Sequence, residues 1–349
     1  MEKLLYTCPD VRRVYILVRQ KRGVAASERL AALLDSPVFT GTGRTPRDLC
    51  QQKITPIYGD AAEERLGLTD EDWTKLTNEV NVIINSAASV RFDDPMVKAL
   101  AINCLSAVSC LQLCKEATNC VSFVHISTCY ANCQLLTTEE KIYPTKVTLE
   151  NLMEMSKWMP ADKLDELCKS DLFDGRPNSY VFTKALAEDY LSRHSQGLPV
   201  AITRLSMVLA SRFEPEVGFV DVTQACIFVG FTQALGALRT FPYNPTSYPQ
   251  CVPVDTAANS VLIIAYLSAT KPTKSVRVYN ATTKKISLKQ SLALFSKVAR
   301  DRPTIKAFRP PIDLSTPPSN LSYQYNRWIT EWLFVVILQF IIRLFGLKQ

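Results

Sequence analysis

Tyr180 and Lys184 stand four residues apart in Asn178-Ser179-Tyr180-Val181-Phe182-Thr183-Lys184, and Ala185-Leu186-Ala187-Glu188 continues the run with good helix formers. On a helix, positions i and i+4 lie one above the other on one face, so a phenol and an ammonium can enter the same pocket. A free tyrosine has a pKa of about 10, too high for ready proton exchange at neutral pH. A neighbouring cation favours the phenolate and lowers that value. The pair is therefore expected to serve as proton donor and acceptor for a carbonyl that gains or loses a hydride. The same spacing also arises on plain surface helices, so the elements around it decide its meaning.

Those elements alternate. Val11–Val18 reads as a strand running into Arg19-Gln20-Lys21-Arg22-Gly23, and Ala25–Leu34 as a helix. Ile54–Tyr58 is a short strand ending at Gly59-Asp60, and Asp70–Thr77 is helical. Val82–Ile84 is a strand ending at Asn85-Ser86-Ala87-Ala88, and Met96–Glu116 a long helix carrying Asn103. Phe123–Ile126 is a strand ending at Ser127-Thr128. A charged helical insertion (Tyr143–Arg176) precedes the Tyr-Lys helix, and Leu198–Leu205 is a further strand. Val276–Asn280 reads as a last strand and Leu288–Val298 as a helix. Short apolar strands alternating with helices predict an α/β fold, a Rossmann-like doubly wound parallel sheet. Ligands of such sheets bind beyond the carboxyl ends of the strands, where every polar group just named falls.

Length and composition set bounds. At 349 residues the chain suggests two domains, taking about 150 residues for each. The net charge of +7 is spread along the chain rather than blocked, which argues against nucleic acid as a partner. Eleven cysteines without a Cys-x-x-Cys pair, and no long apolar core at the N-terminus, predict reduced thiols and a cytosol-facing chain. Only His125 and His194 accompany them, so no metal site is expected. The expected boundaries are a reductase domain over 1–270, its last strand and helix over 271–302, and a linker with the start of a C-terminal domain over 303–349. The prolines of Pro303–Pro318 mark that linker. The apolar run Trp332–Ile342 is shorter than the ~20 residues that span a bilayer, and reads as a helix in the membrane interface or a buried core helix. Val222–Leu238 is either a wall for an apolar substrate or a plain core helix.

Several blocks together resemble the alcohol-forming fatty acyl-CoA reductases, a branch of the extended short-chain dehydrogenase/reductases, with insect-type sequences most similar. They are CPDVRRVYILVRQKRG (8–23), SPVF (36–39), INSAASVRFDDP (84–95), FVHISTCYANC (123–133), RPNSYVFTKALAE (176–188), LPVAITRLSMV (198–208), CVPVDTAANS (251–260) and the run Tyr325–Lys348. The resemblance covers nearly the whole chain. It departs at Arg204-Leu205-Ser206, where the family has Arg-Pro-Ser, and at Gly218-Phe219, where it has Gly-Trp. The family's Gly-x-x-Gly-x-x-Gly loop would precede the first block. The expectation is therefore a member with its first strand missing and with weak NADPH binding.

The resemblance implies a catalytic hydroxyl at the strand end, Thr128 with Ser127 beside it, acting with Tyr180 and Lys184. It implies cofactor contacts from Asp60 at the adenine, from Asn85, Ser86 and Ala87 along the ribose, and from Asn103, which helps hold the lysine through water. Tyr180 and Lys184 also face the cofactor. Arg19, with Lys21 and Arg22, lies where these folds choose their cofactor, and cations there suit a 2′-phosphate, hence NADPH. The implied reaction is reduction of long-chain fatty acyl-CoA to fatty alcohol through a bound aldehyde, on an endoplasmic reticulum or peroxisome membrane, by a protein that is compatible with a homo-oligomer. Two other readings remain: a non-catalytic membrane-associated remnant of the family, and an extended dehydrogenase acting on a sterol or nucleotide-sugar.

Overall fold

The computed structural model describes residues 1–19, 23–41, 44, 47–221, 225–273, 275–283, 286–307, 309–314, 320–333 and 336. The chain forms two compact units, Met1–Asp221 with Val252–Thr282, and Val222–Cys251 with Thr283–Gln349.

The first unit opens with α1 (Glu2–Thr7), β1 (Val14–Val18), α2 (Ala26–Leu34), α3 (Pro37–Thr40), α4 (Arg47–Lys53) and β2 (Ile54–Tyr58). It continues with α5 (Asp70–Glu79), β3 (Val82–Asn85), α6 (Met96–Leu100), α7 (Ser106–Glu116) and β4 (Ser122–Thr128). The charged insertion supplies α8 (Leu149–Trp158) and α9 (Ala161–Leu167) ahead of α10 (Ser179–His194), β5 (Val200–Leu205) and β6 (Met207–Leu209). After α11 (Ala225–Ala234) of the second unit come β7 (Cys251–Pro253), α12 (Val254–Thr270) and β8 (Arg277–Ala281). The second unit then adds α13 (Leu288–Asp301) and α14 (Asn320–Arg327).

The parallel α/β architecture expected from the sequence is present, with one difference. The parallel strands pair in two groups, β1 with β2, and β3-β4-β5-β8 in that order. A doubly wound sheet runs 3-2-1-4-5-6, so the break between β1 and β3 falls at the position of strand 1 in that order. Along β3 the side chains alternate, Ile83 and Asn85 buried and Val82 and Ile84 exposed, so one face of this strand is covered and the other open.

One apolar core joins the layers. Leu111 and Cys104 from the Met96–Glu116 helix meet Phe123 of β4, Phe182 and Leu186 of α10, and Ile202 of β5. Met96–Glu116 has the length and apolarity of a membrane-crossing helix, yet most of it is buried in this core. It is not uniform: a π-helical turn over Ala101–Leu105 separates α6 from α7. Such single-turn bulges are frequent at functional sites. The C-terminal apolar helix expected over Trp332–Ile342 lies largely outside the described residues.

The Asn178 side chain caps α10 by accepting from the Val181 N–H at 3.1 Å. Deeper in, Glu188 and Arg204 form an ion pair, Nη2 to Oε2 at 2.6 Å and Nε to Oε1 at 2.9 Å, with both side chains 1% exposed. Two charges survive such burial only when their remaining hydrogen-bonding capacity is used. Here Arg204 also donates to the Glu139 and Lys141 carbonyls at 3.0 and 2.8 Å, and Ser127 Oγ donates to Glu188 at 2.5 Å. The pair thus ties α10, the end of β5, the end of β4 and the loop at 139–141 together. Glu188→Ala is expected to cost about 3–5 kcal/mol in denaturant unfolding, by leaving Arg204 buried and unpaired. The double change Glu188→Met with Arg204→Met is expected to cost less than that single one. A loss below about 1 kcal/mol for Glu188→Ala would contradict this role.

Candidate active site

The β4 strand is buried along nearly its whole length and ends at Thr128, and α10 starts after it and packs against it. Lys184 is 2% exposed, and its Nζ donates to the Ile126 carbonyl at 2.8 Å. The amine is therefore fixed to the carboxyl end of β4. Tyr180, one turn earlier on the same face, is half-buried, and the Thr128 hydroxyl lies near enough to its phenol to favour the ionised form. Thr128 Oγ1 also accepts from the Tyr130 N–H at 3.2 Å. Three residues expected to act together are thus brought together.

Ser127 is not one of them. Its hydroxyl is committed to Glu188, one helical turn beyond Lys184 on α10. Thr128 is the strand-end hydroxyl that meets the phenol.

The electrostatics correct one expectation. Burial pushes the Tyr180 phenol above its ordinary value, and the Thr128 hydrogen bond only partly offsets this. The phenol is not brought below its ordinary value here, and the Lys184 amine is bonded to the Ile126 carbonyl. Burial lowers the lysine instead, to about 8, against the opposing pull of Cys104 and Glu188. At neutral pH the site therefore presents a protonated phenol beside a charged amine with little reserve.

Asn103 sits in the π-helical turn and is fully buried. Its amide donates to Thr183 Oγ1 at 2.9 Å and to the Ser89 carbonyl at 3.3 Å, and its Oδ1 accepts from the Ser89 N–H at 2.8 Å. It clamps the segment after β3 to α10, and reaches the residue before Lys184 rather than the lysine. Asn85 is turned inward, its amide 3.3 Å from both Ser106 Oγ and His125 Nδ1. Burial holds His125 well below its usual value, hence neutral. Ser86 is exposed and Ala87 half-buried at the same strand end.

A second cluster lies beyond β1 and β2. A cavity of about 670 Å³ is lined by Arg19, Ser27, Tyr58, Gly59 and Asp60 among others. Arg19 Nη1 pairs with Asp60 Oδ2 at 3.2 Å, and Arg29 donates to the Arg19 carbonyl at 2.6 Å. Gly59 is required there, since a Cβ would stand 2.2 Å from the Leu66 carbonyl oxygen. Ala25 and Ala26 place the N-terminus of α2 at the same cavity. Arg19 and Asp60 are thus together as expected. Lys21 and Arg22 lie outside the described residues.

The sequence reading missed several contributors. Glu188 and Arg204 stand inside the quoted blocks, and Glu188 continues the i, i+4 series of Tyr180 and Lys184. That spacing was the available signal. Phe92 is 65% exposed with its ring centroid 5.9 Å from that of Tyr180, a cost in water with no packing gain and no periodic signal.

Comparison with known proteins places this geometry. The NAD-binding family described as male sterility protein matches residues 1–261. Fatty acyl-CoA reductase 2 of Homo sapiens is 31% identical over all of this chain and 68% of its own length. Fatty acyl-CoA reductase 1 of Rattus norvegicus is 34% identical over 81% of this chain and 55% of its own. The chain thus spans about half to two thirds of these relatives. Among solved structures, the reductase domain of a nonribosomal peptide synthetase from Mycobacterium tuberculosis superposes with a TM-score of 0.62 at 18% identity, over 94% of this chain and 72% of its own. The terminal R domain from the myxalamid PKS-NRPS biosynthetic pathway gives 0.60 at 19%, over 86% of this chain and 65% of its own. These structures share the fold, a Rossmann-like reductase sheet. With the family match over three quarters of its length and relatives above 30% identity, the chain belongs to the fatty acyl-CoA reductase family.

Proposed function

We propose that this chain reduces long-chain fatty acyl-CoA to fatty alcohol through a bound aldehyde, with NADPH as the reductant. The observation that carries the reading is the Thr128–Tyr180–Lys184 arrangement at the carboxyl end of β4. An intracellular membrane facing the cytosol is the proposed location, because long acyl chains partition into bilayers.

The residues fit the cofactor at both ends. Arg19 and the N-terminus of α2 offer a cation and free backbone N–H groups to a 2′-phosphate. Asp60 would release Arg19 to that phosphate and remain beside the adenosine. Lys184 and Tyr180 would hold the nicotinamide end. When bound, NADPH supplies the hydride.

Thr128 and Tyr180 then donate hydrogen bonds to the thioester carbonyl oxygen, where negative charge develops. The phenol, kept protonated by burial, gives its proton to that oxygen. The Lys184 charge behind it stabilises the phenolate that remains. The resulting hemithioacetal loses CoA as the thiol and leaves an aldehyde. The phenolate regains a proton from solvent, and the same two hydroxyls polarise the aldehyde for its reduction to the alcohol, with the hydride supplied by a second NADPH.

Tyr180→Phe is expected to lower kcat by about 10²–10⁴-fold, read as NADPH consumption with fatty alcohol quantified separately. A loss under threefold would remove the phenol from the mechanism. The rate should hold below and fall as pH rises through about 8, as Lys184 loses its proton and its charge no longer supports the phenolate. A flat profile to pH 10 would contradict that part. Arg19→Ser should raise KM for NADPH by about tenfold, consistent with one lost charge-assisted contact, and change KM for NADH little. Equal effects on both cofactors would point to a structural role for Arg19.

A further inference from the structure

The opposite end of β4 carries chemistry that the reductase reaction does not use. Cys114, in the last turn of α7, and Cys120, two residues before β4, have their sulfurs 3.3 Å apart. Cys114 is buried, whereas Cys120 is half-buried on a loop whose neighbours Thr118, Asn119 and Val121 are exposed. The loop is pinned in place. Thr118 N–H donates to the Thr77 carbonyl at 3.0 Å, Val121 N–H donates to the Asn81 carbonyl at 2.8 Å, and Thr118 Oγ1 donates to the Thr77 carbonyl at 3.1 Å. The two thiols are held together by a fixed backbone rather than by chance approach. The hydrogen bond between them holds Cys120 below its usual range and Cys114 above it. Cys110, one turn back on α7, is pushed up to about 12 by burial and is inert.

An accessible, more acidic thiol beside a buried resolving thiol is the arrangement of oxidant-sensing cysteines. We propose that Cys120 and Cys114 form a peroxide-responsive pair, with Cys120 oxidised first and Cys114 closing the disulfide. The Cys120 thiolate attacks one oxygen of hydrogen peroxide. The O–O bond breaks, hydroxide leaves and takes up the proton the thiol had given up to become water, and Cys120 becomes a sulfenic acid. The Cys114 sulfur then attacks the Cys120 sulfur, the S–OH bond breaks, and a second water leaves with the Cys114 proton. The two thiols lose two electrons and the peroxide gains them. The pair lies about 20 Å along β4 from Thr128, at a rise of about 3.3 Å per residue, so the disulfide forms outside the reductase site.

Trypsin cleaves after Lys115, between the two cysteines, so the disulfide would appear as a cross-linked peptide pair in non-reducing digests. The reduced full chain is treated with hydrogen peroxide and followed by mass spectrometry, with the exposed Cys133 as internal reference. The expected result is a Cys114–Cys120 cross-link, lost on adding dithiothreitol, with Cys120 reacting about tenfold faster than Cys133. In Cys114→Ser, Cys120 should instead persist as a sulfenic acid that dimedone traps. Oxidation of Cys133 at an equal or greater rate, a cross-link to Cys110, or no cross-link would overturn the proposal. These readouts do not depend on reductase activity.

Discussion

A buried amine bonded to a strand carbonyl organises the catalytic end of this fold. Lys184 has left water, and its Nζ donates to the Ile126 carbonyl at 2.8 Å. A lone ammonium in an apolar core would be costly, so the bond fixes where α10 can sit against β4. Tyr180 is one helical turn away and Thr128 two residues along the strand. Once the amine is fixed, the phenol and the hydroxyl have little choice but to meet. The Glu188–Arg204 pair pins the same helix one turn further on, to β5 and to the loop that carries Glu139 and Lys141.

The two strand-end hydroxyls, Ser127 and Thr128, are adjacent but have different partners. Ser127 completes the acceptor set of Glu188 and supports the scaffold. Thr128 faces the phenol. Burial keeps the phenol protonated at neutral pH, so it enters the reaction as a hydrogen-bond and proton donor, though a weaker acid than a free tyrosine. The lysine charge then matters after the proton has left.

Much of this was legible in the sequence. Short β-branched runs separated by helical stretches predicted the parallel strands, helical spacing paired Tyr180 with Lys184, the end of a strand pointed to Arg19, and the family resemblance implied Asp60 and Thr128. Spacing on a helix predicts a shared face but not the direction of each side chain's hydrogen bond. That is why the lysine's bond to Ile126, and the phenol's upward shift on burial, could not be read. Asn85 and Asn103 looked alike as polar residues near a ligand. Their fates were decided by what faced them: His125 and Ser106 for the one, Thr183 and Ser89 for the other. The Glu188–Arg204 pair spans two elements: helical spacing places Glu188 beside Lys184, but no local pattern pairs it with Arg204. The division of the sheet between β1 and β3 is likewise a pairing property, invisible to strand-by-strand reading.

The account turns on the state of one amine. Nitrogen-15 NMR of the Lys184 side chain, with Lys184→Met used to assign the signal, would follow its titration in the folded chain. The account predicts a midpoint near 8, well below an ordinary lysine. A midpoint above about 10 would mean that Lys184 is solvated rather than buried against Ile126, and the positioning of Tyr180 derived from it would be wrong.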